Sequence, residues 1–324
     1  GRSELRRFVY SVHRFSQQYC VLIPTCVPLG RHACGGRLRA MRAERFLTPV
    51  TRILLALQAL LVLTGGAVRV TGSGLGCPTW PECTADSYTP VEGQAEGAFH
   101  AWIEFGNRLL TFLLLFAAIA VVALVLYLRR KDLRLLALSQ IAGILGQGVL
   151  GGITVLTKLN PLAVASHFIL SIGLIAASHS LVMRSYAMRV GTPKTYPVLA
   201  FHTLLTFIVI AAGTLVTGAG PHAGDADAPR LKIAVATVAG IHGYLVVALL
   251  LLTLYAIYKK PSDESQRYLI IFLAIAIAQG AIGYIQYLLR VPEELVIAHL
   301  LGSSILWIAA WRIRLTQYYI VESK

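Results

Sequence analysis

Charge is what this chain has least of. Asp, Glu, Lys and Arg make up 14% of its 324 residues, against roughly 25% in soluble globular domains. Hydrophobic residues make up 56%, and the mean hydropathy is +0.68. That balance excludes a soluble globular domain. Acidic residues are scarcest, with 15 Asp and Glu against 29 Lys and Arg. Methionine is missing from the first 40 residues, which hold seven Arg, a single acidic residue (Glu4) and three of the five cysteines, Cys20, Cys26 and Cys34. Beyond that leader only Cys77 and Cys83 remain.

What is abundant is long apolar runs. A bilayer-spanning helix needs about 20 mainly apolar residues, and eight runs qualify, near Pro49–Arg69, Ala98–Leu128, Leu133–Thr157, Pro161–Met188, Tyr196–Thr217, Leu231–Tyr258, Gln266–Leu289 and Glu293–Arg314. The expected fold class is an all-α polytopic membrane protein. Sixteen Lys and Arg, among them Arg52, Arg129, Lys131, Arg184, Lys259 and Arg312, fall on one side of these runs, against about five on the other. By the positive-inside rule both termini face the cytoplasm of a cell-membrane protein. The +14 net charge is then a topology signal, with membrane lipid as the surroundings and no nucleic acid as partner. Met41 opens a short basic stretch before the first run, as a bacterial membrane protein begins. Residues 1–40 read as an upstream extension or non-native leader, or else as an Arg-rich transit peptide.

The second half of the chain repeats the first. Gln147-Gly-Val-Leu-Gly151-Gly-Ile matches Gln279-Gly-Ala-Ile-Gly283-Tyr-Ile, and at the same offset Val164, His167 and Ser171 match Val296, His299 and Ser303. More weakly, Val70-Thr-Gly-Ser-Gly74 matches Val216-Thr-Gly-Ala-Gly220. The repeats pair runs one to four with five to eight, in the same orientation. The expected organisation is two duplicated four-helix bundles, residues 41–190 and 191–324, each able to hold a ligand in its core.

Imidazole is costly in lipid unless it has a partner, so the histidines carry the chemistry. His167 and His299 each lie six residues inside their runs, and His242 about eleven inside the sixth. Glu104 and Asn107 lie six and nine inside the second, so the layer sits roughly 9–17 Å below the outer surface. His242 and His299, on parallel helices, suit a six-coordinate haem iron. Zinc wants three or four ligands, which two histidines alone do not supply. The bland reading is hydrogen bonding between helices. In the first half His167 matches His299, and His100, Glu104 and Asn107 share one face of the second run at i, i+4, i+7 spacing. Glu104 beside Arg108 is either a functional carboxylate or a pair that ties the helix together. Cys77 and Cys83, separated by two prolines in the outer loop, suggest a disulfide, with a redox pair or metal site as the other readings. His222, Asp225 and Asp227 lie in the loop after run five as a cation site or a solvated turn. His179 and His202 read as structural.

These residues resemble the haem A synthase family from about Arg45 to Trp311. The most specific pieces are Thr71-Gly-Ser-Gly-Leu-Gly-Cys-Pro-Thr-Trp-Pro-Glu-Cys83 and Glu104-Phe-Gly-Asn-Arg108. The resemblance implies an enzyme that oxidises the C8 methyl of haem O to a formyl group by successive hydroxylations, with oxygen from water. It implies haem b held between His242 and His299, and the haem O substrate near His167. It further implies a catalytic Glu104, a Cys77–Cys83 disulfide, and haem O synthase and terminal-oxidase assembly factors as partners. Two departures stand out. The family pattern Glu-x-x-His-Arg has Asn107 at its histidine, which leaves either His167 as the sole strong haem O ligand or His100 taking part. The loop after run five also lacks the cysteine pair that many members carry. Two other classes predict different features. A dihaem electron-transfer cytochrome needs both ligands on each haem. A proton-coupled transporter needs a helix broken at mid-membrane, hinted at only by the Gly143–Gly152 run.

Overall fold

A computed structural model of the chain describes residues 31–94, 97–189 and 193–320. The chain divides into two units, Gly1–Arg42 and Ala43–Lys324. Most of the leader read over residues 1–40 lies outside the described residues, and of residues 31–42 only the helical backbone is described.

Eight helices occur among the described residues. They are α1 (Arg31–Val70, with its apolar span Ala43–Val70), α2 (Ala98–Tyr127), α3 (Lys131–Leu156) and α4 (Pro161–Tyr186), then α5 (Pro197–Ala219), α6 (Val235–Lys259), α7 (Asp263–Leu288) and α8 (Glu293–Leu315). Each apolar span has 23 to 30 residues, or about 35–45 Å at the α-helical rise, enough to cross a bilayer. Eight helices are long and apolar enough to do so, and the protein is a multi-pass membrane protein. Large apolar side chains such as Leu135, Phe116 and Tyr244 stay exposed on the outer faces, where acyl chains replace water as the solvent. The starts are written locally. The Asn160 side chain caps α4 by accepting the Leu162 N–H at 3.0 Å ahead of Pro161, and Ser262 caps α7 through the Ser265 N–H at 3.1 Å.

Two starts differ from the sequence expectation. Pro49, expected to open the first span, lies inside α1, because apolar context and neighbouring helices tolerate an internal proline in a membrane helix. The sixth span begins at Val235 and not near Leu231. The Leu231 N–H bonds the Gly218 carbonyl at 2.9 Å, which holds residues 231–234 against the end of α5. His242 therefore sits seven residues into α6, not eleven. His167 and His299 are each six residues into theirs, so all three lie about 9–11 Å from their helix starts. The Gly143–Gly152 run is continuous helix within α3, so the break a transporter needs is not found there.

Buried apolar side chains fall into two main clusters. One is built from α1–α4 around Leu47, Leu54, Leu114, Val121, Leu133, Ile144 and Leu181. The other is built mainly from α5–α8 around Leu199, Val209, Leu249, Phe272 and Ile313, and it also takes in Val62 of α1 and Ile172 and Ile175 of α4. α4 packs on both α5 and α8. Indole N–H groups fasten that seam, from Trp307 to the Ile172 carbonyl and from Trp311 to Ser180 Oγ, both at 2.8 Å. Just past α4 and α8, β1 (Met188–Arg189) pairs antiparallel with β2 (Tyr319–Ile320), so these two helix ends share one side. Gln140 joins three helices in the first cluster. It accepts from Gln58 Nε2 at 3.0 Å and Ser178 Oγ at 2.8 Å. In lipid such bonds matter because nothing else can satisfy the amide.

Candidate functional site

The repeated Gln-x-x-x-Gly motif has a physical meaning in three dimensions. Residues i and i+4 share a helix face, and here that face meets the histidine helix. Gln147 Nε2 donates to the His167 carbonyl at 3.1 Å, and Gln279 Nε2 donates to the His299 carbonyl at 2.6 Å. One turn on, Gly151 and Gly283 lie beneath the imidazoles. A Cβ on Gly151 would lie 3.5 Å from His167 Cε1, and one on Gly283 would lie 3.0 Å from His299 Cε1. The glutamine fixes the backbone of the histidine and the glycine leaves room for its ring. His242 packs in the same manner on Gly213 of α5, where a Cβ would lie 3.4 Å from its Cε1, and it interacts with the Val209 backbone one turn earlier. In His167 and His299 the buried Nδ1 has no hydrogen-bond partner. An unsatisfied buried polar atom is rare and asks for an explanation.

In the first half the α2 residues engage the outer loop. The Glu104 carboxylate is 5% exposed. Its Oε1 pairs with Arg108 Nη2 at 2.6 Å, and its Oε2 accepts the Cys77 N–H at 2.6 Å. Arg108 continues into the loop and donates to the carbonyls of Cys77 (2.9 Å), Thr79 (3.1 Å) and Glu82 (3.1 Å). The pair therefore does more than tie α2 to itself. It anchors the loop over the helix bundle through a carboxylate and a guanidinium fork, the strong kind of hydrogen bond. Cys77 and Cys83 form a disulfide across that clamp. His100 Nδ1 bonds Ser73 Oγ at 2.9 Å, so His100 also belongs to the loop attachment. Asn107 is tethered elsewhere, its Oδ1 accepting from Thr64 Oγ1 of α1 at 2.7 Å.

Trp80 completes this arrangement, and the sequence reading had quoted it without a role. Its ring covers Gly152 of α3, next to the Gly151 that supports His167. A Cβ at Gly152 would fall 2.6–3.0 Å from three atoms of the indole. Gly152→Ala is expected to push the indole off α3 at a cost of about 1–3 kcal/mol, read as a red shift of the Trp80 fluorescence component and a lower unfolding midpoint in detergent. An unshifted spectrum would show that the contact of Trp80 with Gly152 does not seat the loop. Reducing the disulfide, or Cys83→Ser, is expected to cost about 2–3 kcal/mol from the short closed loop, measured as a lower thermal midpoint in the presence of reductant. An unchanged midpoint would mean that the clamp already restrains the loop fully.

The loop between α5 and α6 is a turn. His222 Nε2 bonds the Val291 carbonyl at 2.7 Å and Asp225 Oδ1 accepts the Asp227 N–H at 2.9 Å. Arg69, from the end of α1, donates to the carbonyls of His222 and Thr217. No cluster of three or more His, Cys, Asp or Glu able to hold a metal ion occurs among the described residues. His202 donates or accepts at Thr253 Oγ1 (3.1 Å) and stacks edge-on with Phe272, as a structural histidine does. His179 is buried against the α4–α8 seam with neither ring nitrogen bonded.

The family model of cytochrome oxidase assembly proteins, COX15-CtaA, matches residues 50–311. The chain belongs to that family. Everything described in and around the two sites falls within the matched stretch. Among curated relatives, a Heme A synthase of Geobacillus thermodenitrificans is 33% identical over 103 residues, 31% of this chain and 31% of that protein. A Heme A synthase of Shewanella oneidensis is 30% identical over 165 residues, covering 46% of this chain and 48% of its own. One of Azorhizobium caulinodans is 28% identical over 338 residues, covering 86% of this chain and 96% of its own length. The stretch matched to the Geobacillus relative thus spans under a third of that protein's length, while the Azorhizobium alignment runs nearly end to end. Neither a transporter nor a simple electron carrier is named among these relatives.

Proposed function

We propose that the protein is a haem A synthase, a membrane oxidoreductase acting on the C8 methyl of haem O. The observation that carries the reading is one histidine clamp used twice with unlike partners. Gln279–Gly283 positions His299 in the half where α6 carries a second imidazole, His242, whereas Gln147–Gly151 positions His167 in a half where α2 offers Glu104 and Asn107. The relatives' printed name and the family membership support it.

The residues fit haem in the second half. Two imidazoles in an apolar bundle could both ligate a haem iron, and the Nδ1 of His299 is buried without a hydrogen-bond partner. His242 and His299 would hold haem b, and His167 would hold the haem O substrate. Haem b supplies one-electron redox chemistry. The chain's own work lies in the first half. Glu104, fixed by Arg108 and the Cys77 N–H, offers a carboxylate that can accept a proton as the methyl group is oxidised, and its charge stabilises positive charge developing at that carbon. Trp80 of the disulfide-closed loop lies on α3 at Gly152, next to the Gly151 that supports His167. The two halves, residues 41–190 and 191–324, are read as duplicated bundles of substrate and cofactor type. Both termini are read as cytoplasmic in the cell membrane, with haem O synthase and oxidase assembly factors as partners.

The test is pigment extraction from the purified full chain, produced with and without haem O. Haem A is expected only with haem O, beside a haem b that is always present. Two unmodified haems under both conditions would sink the reading in favour of an electron carrier.

A further inference from the structure

The second half carries imidazoles on both α6 and α8, His242 and His299, whereas among the described residues of the first half α4 carries His167 and α2 carries Asn107 at the expected partner position. Protein ligands to haem iron are His, Cys, Met or Tyr. Across the apolar span Ala43–Val70 of α1, α2–α4 and the outer loop, the described residues of these types are His100, His167, His179, Cys77, Cys83, Met183, Tyr88, Tyr127 and Tyr186. Cys77 and Cys83 are bonded to each other, and Tyr88 is solvent-exposed in the loop. Met183, Tyr127 and Tyr186 lie toward the far ends of their helices. His179 is twelve residues beyond His167 on the same helix, about 18 Å along its axis. His100 bonds Ser73 in the loop and lies seven residues before Asn107, about 10 Å toward the outer surface. That leaves His167. On α2, Asn107 has its amide oxygen taken by Thr64, and an amide so engaged is no ligand for iron.

We propose that haem in the first half is ligated by the protein on one face only, through His167, and that its opposite face stays open to a small exogenous ligand. The inference rests on the haem A synthase reading and deepens it. Ligation by two histidines retains a haem as a cofactor. Ligation by one lets a haem enter as substrate and leave as product, because a single bond must break. The Thr64–Asn107 tether then serves as a polar, non-ligating wall on α2, and His100 serves the outer loop.

The full chain in detergent, loaded with haem O, tests this by electron paramagnetic resonance and absorbance in the ferric state, with cyanide as the probe. Two signals are expected, a low-spin haem indifferent to cyanide and a high-spin haem that turns low-spin when cyanide is added. Asn107→Ala and His100→Ala are both expected to leave the high-spin signal in place. Asn107→His is expected to abolish it by supplying a second imidazole, with loss of cyanide binding. A first-half haem that is low-spin and refuses cyanide in the unmodified chain overturns the inference while leaving the proposed function intact. So does a change of spin state in either alanine variant, which would reveal a ligand. If no haem beyond the bis-histidine one is ever bound, both the inference and the substrate reading fail together.

Discussion

Glu104→Gln is expected to lower conversion of haem O to haem A by about 10²–10⁴-fold, the usual contribution of a positioned proton acceptor. The choice of glutamine is what makes the result interpretable. The Glu104 carboxylate pairs with Arg108 and accepts the Cys77 N–H. A glutamine oxygen still accepts from Cys77 N–H, so the loop stays attached while the charge and the proton-accepting capacity go. Haem content and the unfolding midpoint, measured on the same sample, should change little beside the loss of turnover. If turnover survives intact, Glu104 is a loop anchor and the catalytic assignment fails. If turnover and the midpoint fall together, the loss is structural. Arg108→Ala is the complementary variant. It frees the carbonyls of Cys77, Thr79 and Glu82 and leaves the carboxylate in place, so the loop should detach while a proton acceptor remains.

His299→Ala is expected to remove haem b absorbance from the purified protein and to abolish conversion altogether. The side chain has no role in hydrogen bonding that would explain its burial, since its Nδ1 is unpartnered. Its backbone carbonyl, the group that Gln279 holds at 2.6 Å, survives the substitution, so the α7–α8 contact should persist. Free imidazole added to the variant should restore part of the low-spin spectrum by occupying the space above Gly283. His242→Ala is expected to give the same loss from the α6 side. Undiminished haem b absorbance in either variant would remove that histidine from the cofactor site. Gly283→Ala is a milder probe of the same contact, because its Cβ would come 3.0 Å from His299 Cε1 and the ring must tilt to accept it.

How much of this could be read from the chain follows from the range of the interactions involved. Apolar length set the eight spans, and their edges were within a few residues except at two places. Pro49, the expected start of the first span, is accommodated inside a helix in lipid. Leu231, the expected start of the sixth, spends its N–H on the Gly218 carbonyl across the loop. That second correction moved His242 to the depth of His167 and His299, a relation the sequence had placed unevenly. The Gln-x-x-x-Gly repeat was visible as a pattern, while its purpose was not. Only the packing of α3 on α4 and of α7 on α8 shows the amide on the histidine carbonyl and the glycine under the ring. Trp80, quoted in the loop motif, had no partner until α3 was seen beneath it.

The sequence alone determined the membrane class, the number and limits of the spans, the internal repeat and the histidines it preserves. Those follow from local composition and from spacing along single helices, where lipid leaves few alternatives. The tertiary structure decided what each polar side chain near the site is bonded to. Glu104 and Arg108 hold the outer loop, His100 belongs to Ser73, Asn107 to Thr64, and His242 packs on Gly213. These pairings join residues tens of positions apart on different elements. A hydrogen bond of under 3 Å across such a separation depends on how the helices rotate and pack, and no local pattern encodes it.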